Sequence, residues 1–133
     1  MTNLAELLEI KSTIGVRLRE AYKKSDRAKL KSLAEEDMPR IASKLDVLRK
    51  SHREEWLSTC KPFGWEVVDI RYGGVAARID SAASRVRDYL DGRTESLEEL
   101  EAERLYFDGS DHEEAGPIGR CNRYRRIVTA GYF

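Results

Sequence analysis

The side chains able to hold a soft metal or act as strong nucleophiles are His52, Cys60, His112 and Cys121. Their spacing matches none of the patterns that arrange ligands around zinc. Neither cysteine sits in a signature that lowers a thiol pKa. No phosphate loop, dinucleotide fingerprint or nucleophile elbow occurs. His52 falls on an apolar helical stripe and reads as a packed core or interface histidine. His112, in Asp111-His112-Glu113-Glu114, reads as part of a solvated acidic loop. The expectation is no metal, no cofactor and no catalytic residue.

Two clusters remain. Arg17, Arg19, Lys23, Lys24, Arg27, Lys29 and Lys31 outweigh Glu20 and Asp26, and an anionic partner could use that corner. Its one aromatic residue, Tyr22, lies on the apolar stripe and forms no base-stacking surface, so a solvated helix corner is the preferred reading. The second cluster is Trp65, Glu66, Asp69, Arg71 and Tyr72, beside Gly73-Gly74. An indole and a phenol with charged hydrogen-bonding groups suit a sugar or a peptide. The same residues suit the buried start of a helix. Both readings stay open at this point, and these five are the candidate interface or substrate-rim residues.

The elements that must position them are helical. Leu4, Leu7, Leu8, Ile14, Leu18 and Tyr22 form one stripe and predict a first helix over 3–23. Asn3 and Glu6 have capping-box spacing at its start. Gly15 inside it marks either a close helix approach or a tolerated weakness of about 1 kcal/mol. Ser25 or Asp26 caps a short second helix carrying Leu30, Leu33 and Ala34. Met38-Pro39 punctuates the chain, with Asp37 as cap of a third helix that ends near Cys60, before Lys61-Pro62-Phe63-Gly64. The Trp65–Gly74 stretch could pass locally for a strand. Tyr72, Val75, Ile79, Ala83, Val86 and Leu90 instead predict a fourth helix over 68–91, stopped by Asp91-Gly92. Ser96 and Glu99 repeat the capping-box spacing before a short fifth helix with Leu97, Leu100 and Leu105. The fold class is all-α: a bundle of four to five helices over 1–106 and an irregular docking tail over 107–133.

The chain has 133 residues, enough for one domain with a real core and no disulfide framework. Hydrophobic residues are 41% and charged residues 36%, yet Lys+Arg 24 balances Asp+Glu 24. That zero net charge argues against a general nucleic-acid binder. No apolar run approaches the ~20 residues of a membrane span. The Met1–Glu6 start has no basic region ahead of an apolar one, as a secretory signal would. Together with the two cysteines this predicts a cytoplasmic protein.

The run Lys61-Pro62-Phe63-Gly64-Trp65-Glu66-Val67-Val68-Asp69-Ile70-Arg71-Tyr72-Gly73-Gly74 resembles a signature of the C-terminal helical region in one bacterial branch of glycoside hydrolase family 20, the β-N-acetylhexosaminidases. The similarity extends to Leu7–Lys11, Gly15-Val16-Arg17, Trp56, Arg78-Ile79, Asp88–Gly92, Glu98–Glu101 and the Arg-rich tail ending in Thr129-Ala130-Gly131. The resemblance implies a multidomain enzyme with an accessory α/β domain, a (β/α)8 catalytic barrel and then these helices. Such enzymes release terminal N-acetylglucosamine or N-acetylgalactosamine with retention, the substrate's acetamido group attacking the anomeric carbon. An adjacent Asp-Glu pair on the barrel orients that group and serves as general acid/base.

This chain contains no Asp-Glu dipeptide, so no catalytic residue carries over. The resemblance then implies a non-catalytic domain that supports the barrel, dimerisation or the active-site rim. Its partners would be the barrel of the same polypeptide and possibly a second subunit, with neither nucleic acid nor membrane. A domain of this kind should show an apolar or aromatic patch when seen alone. The alternative is a free-standing helical protein–protein interaction module.

Overall fold

The computed structural model describes residues 2–102; the expected tail lies outside the described residues. They form α1 (Thr2–Lys23), α2 (Arg27–Ser32), a π-helical turn (Leu33–Asp37), α3 (Met38–Thr59), α4 (Trp65–Leu90) and α5 (Glu98–Glu101). No strand occurs among them, so the Trp65–Gly74 stretch is helical as its periodicity predicts. The fold class is the all-α bundle expected.

α3 lies between α1 and α4 and runs antiparallel to both. Asn3 Nδ2 donates to Ser51 Oγ at 3.0 Å and Lys44 pairs with Glu6 at 2.7 Å along the α1–α3 seam. Arg49 with Asp69 and His52 with Tyr72 mark the α3–α4 seam. The apolar stripes meet in two adjoining cores. One holds Leu18, Leu30, Leu33, Ala34, Met38, Ala83, Val86 and Leu97; the other holds Leu7, Ile10, Ile41 and Leu45. Ile14 and Ile79 pack against both.

Helix ends show where local chemistry decided. Ser25 takes a left-handed φ of 53° and closes α1: its N–H reaches Tyr22 O at 2.9 Å and that of Asp26 reaches Ala21 O at 2.9 Å. Asp26 then caps α2, accepting from the Lys29 N–H at 2.9 Å. Gly92, at φ 75°, closes α4 in the same way, with Arg93 N–H on Asp88 O at 2.8 Å.

Three expected boundaries are corrected. Asp37 does not cap a new helix: its backbone is helical, its side chain makes no cap hydrogen bond, and its carboxylate pairs with Arg17. α2, the π turn and α3 run on without a break. The Met38 N–H reaches back five residues to Leu33 O, which widens the helix ahead of Pro39. The proline ring, lacking an N–H and normally clashing with a carbonyl one turn back, is thereby accommodated. The same turn brings Leu33, Ala34 and Met38 all into the core. α4 starts at Trp65 rather than residue 68. Asn3 lies inside α1, which begins at Thr2, so the Asn3–Glu6 capping box gives way to cross-helix contacts.

Gly15 is exposed, and a Cβ built there would meet nothing within 4 Å. It is a tolerated weakness, not a point of close helix approach.

Candidate functional site

The Trp65–Tyr72 cluster is built by the turn between α3 and α4. Cys60 ends α3 with its N–H on Trp56 O at 2.7 Å. The Trp56 indole Nε1 donates to Lys61 O at 3.0 Å, and the Trp65 N–H reaches Pro62 O at 3.3 Å. Gly64 sits at φ 93°, and a Cβ on it would approach the Trp56 ring at 3.6 Å. Any other residue would be strained there by its backbone. The Glu66 carboxylate accepts the Gly64 N–H at 2.9 Å, which fixes the start of α4.

This turn folds four aromatic rings together. His52 stands between them, its ring centroid 5.3 Å from Trp65 at 89°, 6.0 Å from Tyr72 at 79° and 6.5 Å from Trp56 at 70°. Trp56 and Trp65 lie 6.0 Å apart, and Trp65 and Tyr72 lie 6.4 Å apart. Edge-on contacts of this kind are favoured by ring quadrupoles. His52 Nδ1 and the Tyr72 hydroxyl share a hydrogen bond of 2.9 Å. Burial pushes the Tyr72 hydroxyl above its ordinary pKa of 10.0. Next to the rings, Arg49 donates to Asp69 at 2.7 Å, and that bond raises the already high pKa of the guanidinium.

The candidate residues thus divide. Trp65 and Tyr72 come together against α3, and Asp69 joins them through Arg49. Glu66 is exposed on the first turn of α4 and holds the Gly64 amide. Arg71 is exposed and makes no hydrogen bond or ion pair with a described residue. The reading of His52 as an interface histidine fits its place between α3 and α4. Trp56 and Arg49 were missed. Trp56 had a sequence signal only in the resemblance, which says nothing about which helix it faces, and Arg49 had none.

The chemistry available is packing and positioning. His52 Nδ1 shares a hydrogen bond with the Tyr72 hydroxyl, and Asp69 is held by Arg49. Among the described residues no group of His, Cys, Asp and Glu could hold a metal ion. No described helix is long and apolar enough to cross a membrane. The basic corner is partly engaged: Arg17 pairs with Asp37, and Arg27 donates to Leu90 O at 2.5 Å while lying over the Tyr89 ring.

Beyond the cluster, the outer side of α4 is open. Phe63 is 82%, Ile70 74% and Val67 51% exposed. The spacing of Val67 and Ile70 puts them on one face of α4, opposite the one that Tyr72, Val75 and Ile79 turn to the core, and Phe63 stands exposed in the turn before the helix.

Compared with known families, residues 1–119 match the Glycoside Hydrolase 20C C-terminal domain. No curated protein matches the chain.

Proposed function

Since the chain belongs to the C-terminal domain family of glycoside hydrolase family 20, we propose that it is a non-catalytic, interface-forming domain of a β-N-acetylhexosaminidase. The parent enzyme hydrolyses terminal N-acetylhexosamine residues on its barrel. This domain supports the barrel, a dimer or the rim of the active site.

The observation that carries the reading is the exposure of Val67 and Ile70 on one face of α4, with Phe63 exposed in the turn before it. Apolar side chains this exposed, grouped on one helix face, mark a surface that another body covers. The interior of the candidate cluster supports it from the other side. Trp65, Tyr72 and Asp69 are engaged in joining α4 to α3, so the chemistry they carry holds a platform in place.

The test has two parts. The chain is assayed with a chromogenic N-acetyl-β-glucosaminide, and no turnover is expected; turnover would overturn the non-catalytic assignment. The parent enzyme is then prepared without this domain. A loss of solubility and a lower melting temperature are expected. A barrel equally soluble and stable without it overturns the supporting role.

A further inference from the structure

At the end of the bundle away from the aromatic cluster, α2 lies against the C-terminal turn of α4. Arg27 ties the two together, donating to Leu90 O at 2.5 Å and lying over the Tyr89 ring. A cleft of about 430 Å³ opens beside that contact. Ligand clefts run from roughly 300 to 1,000 Å³, so the space suits one small molecule. Three cations line it, Arg27, Lys31 and Arg87, with the carboxylates of Glu35 and Asp91.

These charges are unevenly engaged. Arg27 is held by Leu90 O, and Asp91 by Arg93 at 2.5 Å. Lys31 lies 4.0 Å from Glu35 with both side chains largely exposed, and such a pair contributes little. Arg87 is half-buried and makes no hydrogen bond or ion pair with a described residue. Taking a charge partly out of water without a partner is costly, and an anion in the cleft offsets that cost.

A helix C-terminus ordinarily repels an anion. Here the last carbonyls of α4 are covered by donors. Leu90 O accepts from Arg27, and Arg87 O accepts from the Asp91 N–H at 2.8 Å. Tyr89 O accepts from the Gly92 N–H at 3.2 Å and Asp88 O from the Arg93 N–H at 2.8 Å.

Two donors of different shape are left for a ligand. The planar fork of Arg87 suits two oxygens at once, and the Lys31 ammonium is a point charge. Together they balance the two charges of a phosphate, whereas a carboxylate leaves one cation over. Ala28 and Leu90 add an apolar wall that free phosphate cannot use. We propose that this cleft binds a small phosphate monoester, its phosphate on Arg87 and Lys31 and its organic part against Ala28 and Leu90. The site is independent of the interface-forming role proposed above.

The experiment titrates the isotope-labelled 133-residue chain with phenyl phosphate at constant ionic strength, followed by amide NMR shifts. The pH is held near neutral to slightly alkaline, where a phosphate monoester is mainly a dianion. Saturable shifts are expected at Ala28, Lys31, Arg87 and Leu90, with a dissociation constant of about 1 mM for so open a cleft. Inorganic phosphate is expected to bind more weakly, because it lacks the apolar contact, and benzoate more weakly still. Arg87→Gln and Lys31→Gln are each expected to weaken phenyl phosphate binding about tenfold, with an unchanged helical circular dichroism signal. Arg78→Gln removes an exposed arginine that has no described partner elsewhere on α4, and is expected to leave binding unchanged.

Shifts that never saturate overturn the site. Binding that survives Arg87→Gln, or that falls equally with Arg78→Gln, overturns it as well. Benzoate binding as tightly as phenyl phosphate overturns the choice of phosphate. Inorganic phosphate binding as tightly overturns the monoester.

Discussion

The two ends of the bundle are built from different materials. At one end Leu30, Leu33, Ala34 and Met38 pack with Ala83, Val86 and Leu97, all nearly or fully removed from water. Tyr22 completes that end by accepting the Leu97 N–H at 3.1 Å and meeting Tyr89 edge-on at 5.3 Å. At the other end, His52, Trp56, Trp65 and Tyr72 are half-buried, the rings of all but Trp65 are hydrogen-bonded, and Phe63, Val67 and Ile70 stand in water beside them. Aliphatic groups excluded from water on every side contribute mainly to folding. Aromatic groups with polar tips hold a geometry while keeping one side available. The contrast teaches that this domain folds at one end and presents a surface at the other.

Truncation in the closed core is the sharpest way to break that contrast. Leu33 is 0% exposed, and Leu33→Ala is expected to cost about 2–5 kcal/mol in urea unfolding. A cost near that of an aromatic-end variant would erase the distinction. Tyr72→Phe removes one hydrogen bond at the half-buried end and is expected to cost about 1 kcal/mol, read in the same titration. Gly15, on the helix whose Ile14 touches both cores, offers a gain of similar size. Gly15→Ala is expected to raise stability by about 1 kcal/mol, since the added methyl has room and the helix gains propensity. A loss there would show that something unseen approaches α1.

The smallest effect tests the polar rim. Hydrogen bonds from Lys44 to Glu6 and from Arg85 to Glu99 hold both carboxyls below their ordinary 4.5, and Lys50 holds Asp46 below 3.8. Groups with a depressed folded-state pKa stabilise the protein above their unfolded value and lose that contribution as pH falls through the folded one. Stability should be level near neutral pH and decline below about pH 4.5. Because these groups are exposed, the slope should be shallow, and Lys44→Met should flatten it further. A decline on raising the pH from neutral would contradict the assignment.

Much of this was legible before any coordinates. The apolar stripes placed α1, α3 and α4, and Asp91-Gly92 marked the end of α4. The candidate cluster was legible in part. Trp65 and Tyr72 were visible as a pair one helical face apart. His52, Trp56 and Arg49 were not, because they join it across the α3–α4 turn.

The capping signals show where sequence stops and tertiary structure takes over. Asp26 and Gly92 act on backbone groups within a few residues, so their neighbours alone decide them. Asn3, Glu6, Asp37 and Glu99 look the same in sequence, yet they reach Ser51, Lys44, Arg17 and Arg85 on other segments. A carboxylate can accept an N–H of its own helix or a charged donor from another, and the charged bond is the stronger. That second donor exists only once the helices have packed. The sequence by itself therefore determined which residues are helical and where local chemistry stops them. Only the tertiary structure decided which side chains bridge helices and which face of α4 was left open, because both depend on groups that come within reach after the chain has folded.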